Sequence, residues 1–124
     1  MTLLTPILRA ALLANGAAEV ETDHIPVVKF FNPAGVGTWL VTELDADGDT
    51  LFGLADLGEP ELGSFSLSEI EAVRLTGGLT IERDLYFTTA LPLSVWIAAA
   101  RRTGSISQAE TFLKIIARRD GRLL

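Results

Sequence analysis

Apolar residues at the start of the chain recur at helical spacing, with Leu4, Leu8, Ala11 and Leu12 on one face. Thr5-Pro6 supplies the helix start. The Thr5 hydroxyl is placed to accept a free amide, and Pro6 takes the first helical position, where a missing N–H costs nothing. Asn15-Gly16 ends the segment, with Gly16 suited to a left-handed cap. Residues 17–25 are polar and show no period. The period then switches to two. Val27-Val28-Lys29-Phe30-Phe31 and Thr38-Trp39-Leu40-Val41-Thr42-Glu43-Leu44 read as strands rich in β-branched and aromatic residues. In the second, Leu40, Thr42 and Leu44 fall on one face, and Trp39, Val41 and Glu43 on the other. Asp45-Ala46-Asp47-Gly48-Asp49 is a tight hairpin turn, and the chain returns through Thr50 to Leu57. Residues 26–57 therefore predict a three-stranded antiparallel meander.

Gly58-Glu59-Pro60-Glu61-Leu62-Gly63 reads as a punctuated loop, and residues 64–67 as a short edge strand or a lead-in. Ser66 and Glu69 form a capping box that opens a short helix to about Arg74, stopped by Thr76-Gly77-Gly78. Residues 79–87 contain another strand or extended segment. Pro92 opens a further helix to about Arg102, with Leu93, Trp96, Ile97 and Ala100 on one side. After Thr103-Gly104-Ser105, a second capping box from Ser107 to Glu110 opens the last helix. Its apolar stripe is Ala109, Phe112, Leu113, Ile116 and Ala117, and the short break predicts an αα-hairpin. The fold class is α+β. A single domain over 1–124 has a small antiparallel sheet of three to five strands, one face of which the N-terminal and C-terminal helices cover.

Composition sharpens this picture by exclusion. Hydrophobic residues make up 48% of the chain, enough for a packed core, and no apolar run approaches bilayer length. The absence of cysteine excludes disulfide scaffolds and thiolate sites. With no basic leader or cleavage site at the start, a cytoplasmic location is expected. The formal net charge of −6 lacks the general footprint for nucleic acid, but it is unevenly spread. Residues 1–100 hold 14 acids and 4 bases, net −10, whereas residues 101–124 hold 2 acids and 6 bases, net +4.

Candidate chemistry is sparse. The turn at residues 45–49 resembles a calcium loop, with Asp56 at the twelfth position from Asp45, yet the required glycine is displaced and the flanks are strands. No metal site is expected. His24 is the sole histidine, and no Gly-x-Ser-x-Gly elbow, dinucleotide fingerprint or P-loop is present. No cofactor is expected. Asp56, Glu59 and Glu61 are the catalytic candidates, since clustered carboxylates support acid/base work or hold a hard cation if one of them is buried. Lys114, Arg118, Arg119 and Arg122 form a basic helical end suited to phosphate contact. Trp39 and Trp96 sit within apolar patterns that favour core packing over an interface.

Several segments together carry a family resemblance. They include Pro26-Val27-Val28-Lys29-Phe30-Phe31, Thr38-Trp39-Leu40-Val41-Thr42-Glu43-Leu44-Asp45, Phe52-Gly53-Leu54-Ala55-Asp56-Leu57-Gly58, Pro60-Glu61-Leu62-Gly63 and Glu82-Arg83-Asp84-Leu85-Tyr86-Phe87. Over residues 3–103 the chain resembles the bacterial family called domain of unknown function 2958, which leaves the helix at 105–120 beyond the best match. The resemblance implies an accessory role on plasmids and other mobile elements, and it transfers no activity, cofactor or catalytic residue. Its motif positions mark Lys29, Trp39, Glu43, Asp56, Glu61, Arg83, Asp84 and Tyr86 as places to look. Glu82-Arg83-Asp84 is a candidate internal ion-pair cluster, and Tyr86 a candidate cap on a polar network.

The leading functional expectation is a non-enzymatic, acidic protein-interaction module, with Trp39, Glu43, Asp56, Glu61, Arg83, Asp84 and Tyr86 as interaction residues. Its expected partner is a protein, such as a host defence or DNA-processing factor, and self-association into a homo-oligomer is a further expectation. No membrane partner is expected. The alternatives are a small hydrolase or metal-dependent enzyme built on the carboxylates, and DNA contact through the basic last helix.

Overall fold

The computed structural model describes residues 2–121. Its five strands form one antiparallel sheet in the order β4-β3-β2-β1-β5. They are β1 (Val28–Phe31), β2 (Thr38–Leu44), β3 (Thr50–Asp56), β4 (Pro60–Ser66) and β5 (Glu82–Arg83). Four helices, α1 (Pro6–Gly16), α2 (Leu67–Ala72), α3 (Leu93–Thr103) and α4 (Ile106–Arg119), complete the α+β architecture with a 3-10 turn at Thr76–Gly78. The meander is present, and β4 extends it. The segment from Gly58 to Gly63, expected as a loop, is mostly strand: Leu62 pairs with Leu54 and Glu61 with Ala55. The extended region at 79–87 contributes only two residues of strand, paired with Phe30 and Phe31.

The pleat sends alternate residues to two cores. Val28, Phe30, Trp39, Val41 and Leu51 pack with Leu3, Leu12 of α1 and Leu67 and Ile70 of α2. Leu40 and Leu54 face the other way and pack with Leu93, Trp96 and Ala100 of α3 and Ile106, Ala109 and Leu113 of α4. The N-terminal and C-terminal helices therefore flank the sheet on both faces, not on one. Strand β2 must be apolar on both sides, which explains its nearly unbroken hydrophobic run.

Two local features depart from the periodic pattern. A β-bulge in β2 shifts the register between Val41 and Glu43, so Glu43 pairs with Phe52 and Leu44 with Leu51. Beyond the bulge the phase reverses: Leu44 joins Trp39 and Val41 in the α1 core, away from Leu40. Glu43 correspondingly turns to the α3 side. The C-terminal end of α1 braces this point, where Asn15 Nδ2 donates to the Thr42 carbonyl at 2.9 Å. Gly16 is not a left-handed cap. A Cβ there would lie 2.2 Å from the Leu44 carbonyl oxygen, so glycine lets the helix end approach the bulged strand. The last helix is capped two residues earlier than its Ser107 box suggested: Ser105 Oγ accepts from Gln108 N at 3.0 Å. Of its expected stripe, Phe112 is left exposed.

Candidate functional site

The bulge and the polar segment before β1 build a concave surface on the α3 face. The segment 20–24 runs past the start of α3, whose N-cap residue Pro92 has no capping side chain. Asp23 replaces it. Its carboxylate accepts from Ser94 N at 3.0 Å and from the Ser94 hydroxyl, while the His24 carbonyl accepts from Leu93 N at 2.9 Å. These bonds pin the segment as a strap. Between strap, α3 and the β2–β4 surface lies a cleft of about 650 Å³. Phe52, Leu62, Leu93 and Ile97 give it apolar walls, and Val20 adds an apolar lip. Its ionisable lining is Glu21, Asp23, His24 and Glu43, with no lysine or arginine. Glu43 is half-buried and Glu21 exposed.

The other expected residues take separate places. Asp56 is buried and turned toward α4: its Oδ2 accepts from Ile106 N at 2.9 Å and its Oδ1 from Gly58 N at 3.0 Å. Glu61 pairs with Ala55 and so emerges on the opposite face, where it and Glu59 line a shallow depression. The pleat thus divides the three proposed catalytic carboxylates. Among the described residues, no group of three or more histidines and carboxylates is placed to hold a metal ion. Trp39 is 7% exposed and belongs to the α1 core. The Asp45–Asp49 turn uses its own carboxylates. Asp47 accepts from Thr50 Oγ1 at 2.6 Å and from the amides of Asp49 and Thr50, and Asp49 accepts from Ser66 Oγ at 2.7 Å and Ser68 N at 2.8 Å. The Thr50 hydroxyl above all holds the Asp47 carboxyl below the ordinary range, and the Ser66 hydroxyl does so for Asp49.

The Glu82-Arg83-Asp84 cluster is not an internal ion-pair set. Arg83 Nη1 donates to the Leu3 carbonyl at 2.6 Å, tying the chain start to the sheet edge. Asp84 pairs instead with Lys29, whose Nζ lies 3.5 Å from Asp84 Oδ2 and 2.9 Å from Glu110 Oε1. Lys29 is 8% exposed, so two carboxylates compensate a buried ammonium. Glu110 read in the sequence as a capping residue, and only its distance in space from Lys29 reveals the pairing. Tyr86 caps no network: it is 92% exposed, beside exposed Leu85. Lys114 lies 4.0 Å from Glu110, and Arg118 and Arg119 are exposed on the last turn of α4. Arg122 lies outside the described residues.

Fold and cleft together define a small α+β protein with an acidic, apolar-walled recess beside α3. Among the described residues, no helix is long and apolar enough to cross a membrane. The family model described as Protein of unknown function (DUF2958) matches residues 3–107, and the chain belongs to that family. No curated protein and no solved structure matches the chain.

Proposed function

We propose that this protein is a protein-interaction module that takes a basic, apolar segment of a partner protein into the cleft between the strap and α3. One observation carries the reading. The cleft joins the apolar surfaces of Phe52, Leu62 and Ile97 to Glu21 and Glu43 with no lysine or arginine in its lining. Of these two carboxylates, the bulge aims Glu43 there at the cost of a regular strand, and such re-aimed side chains cluster at functional sites. Apolar contact would supply the affinity, and the carboxylates would steer encounter and reject acidic competitors. The role fits a cytoplasmic accessory of a mobile element, directed at a host defence or DNA-processing factor.

A photo-crosslinking residue at position 62, used in host lysate, tests this. The expected result is one discrete adduct whose partner peptide is rich in Lys or Arg and aliphatic residues. That adduct should vanish with Glu21→Lys/Glu43→Lys in a protein that keeps its circular dichroism. An unchanged adduct in the charge-reversed protein, or crosslinking spread over many proteins without preference, would overturn the reading.

A further inference from the structure

Helix α4 carries more apolar surface than the sheet uses. Ile106, Ala109 and Leu113 face the core, whereas Phe112 is 39% exposed and Ile115 52% exposed on the outer side. Phe112, Ile115 and Arg119 follow one another at three and four residues, so they form one stripe that ends in a cation. The chain's own cleft has the complementary character: apolar at Leu62 and Ile97, acidic at Glu21 and Glu43. The exposed Arg119 at the end of the stripe and the Glu21 and Glu43 carboxylates of the cleft carry opposite charges, so these two surfaces of different copies are electrostatically complementary.

We infer that the occupant of the cleft includes a second copy of this chain, whose α4 seats Phe112 and Ile115 against Leu62 and Ile97 and brings Arg119 to Glu21 and Glu43. The inference rests on the cleft being a docking site for a basic, apolar segment, and it names that segment. The contact joins two different surfaces, so each copy offers one donor stripe and one acceptor cleft. Self-association then masks the cleft until a better-fitting partner displaces the helix.

The test uses two variants of the full chain. Phe112→Glu/Ile115→Glu removes the stripe and keeps the cleft, and Glu21→Lys/Glu43→Lys does the reverse. Sedimentation velocity is expected to show wild-type self-association that weakens as salt is raised, because exposed charges are screened. Each variant alone should associate about thirtyfold more weakly, the loss that follows removal of an interface anchor. Mixed in equal amounts, the two should restore a species of two chains, built from the intact cleft of one and the intact stripe of the other. All substituted positions are solvent-facing or half-buried, and circular dichroism checks that both variants fold. A wild-type protein that stays monomeric up to millimolar concentration, or a mixture that forms no pair, would overturn the inference. If the stripe variant still yields the discrete crosslinked partner from lysate in that case, the interaction reading stands and only the second copy is removed from it.

Discussion

Asp56 sits at the end of β3 with both carboxylate oxygens engaged by backbone amides, one from Gly58 beside it and one from Ile106 at the start of α4. A carboxylate at a helix N-terminus meets unpaired N–H groups and the positive end of the helix dipole. That environment accounts for a buried, acidic residue in the strand. Asp56→Ala leaves the Ile106 amide without a partner in a place closed to water. The expected loss is about 1–3 kcal/mol of unfolding free energy, measured by urea denaturation. Asp56→Asn keeps one oxygen acceptor and should lose clearly less. Equal stability of wild type and Asp56→Ala would sink the capping role. Lys29 shows the same logic with the sign reversed. Its ammonium is tolerable in the interior because Asp84 and Glu110 arrive from a loop and a helix remote in sequence.

At the scale of elements, the β2–β3 hairpin turn is specified by its own side chains. Asp47 closes the turn onto Thr50, and Asp49 reaches across to Ser66 and Ser68, where α2 begins. Both carboxyls titrate below their ordinary range because these bonds favour the charged form. Unfolded, each titrates near about 3.9. The native state therefore binds fewer protons, and the contribution to stability is complete above about pH 4 and lost as pH falls through the lowered native values. In thermal melts, Asp47→Asn and Asp49→Asn should melt below wild type at pH 7, with the gap closing as pH falls below the unfolded value and through the lowered native ones. A gap that stays constant with pH would mean the carboxylate charge is irrelevant to the turn. This hairpin was legible in sequence because its determinants are neighbours: Asp-Gly, flanking β-branched residues, two strands of equal length. The same held for α1, α3 and α4. The cleft was not legible, for a physical reason. It depends on a single inserted residue at Thr42 that reverses the phase of Glu43 and Leu44, and on Asp23 capping a helix far along the chain. Alternation counted along β2 placed Glu43 beside Trp39 and Val41, on the wrong face. The carboxylates of 56, 59 and 61 looked clustered for the converse reason, since nearness in sequence ignores the pleat.

The whole molecule is two helical layers on one shared sheet, and the sharing has an energetic consequence. Strand β2 gives Trp39, Val41 and Leu44 to the α1 layer and Leu40 to the α3–α4 layer. Neither layer can keep its floor if the other loses the sheet. The match to the family ends at residue 107, just inside α4, yet Ile106, Ala109 and Leu113 of that helix pack on Leu40 and Leu54. Burial of Ile106 and Leu113 is worth about 1.5–3 kcal/mol each, a large share of the roughly 5–15 kcal/mol that stabilises a domain of this size. Helix α4 is on this account part of the core, whatever it also does at the surface. The two tryptophans report the two layers separately, Trp39 from one core and Trp96 from the other. In Trp96→Phe, fluorescence follows the α1 layer, and in Trp39→Phe it follows the α3–α4 layer. Each substitution will lower stability, so the comparison is made within each variant, between fluorescence and far-ultraviolet circular dichroism in urea. Coincident transitions are expected in both, because the sheet couples the layers into one cooperative step. If the Trp96 signal moved at lower urea than the dichroism, the α3–α4 pair would be a separately melting layer. The sheet would then be held by the α1 side alone, and the cleft, which needs α3 in place, would open before the rest of the fold.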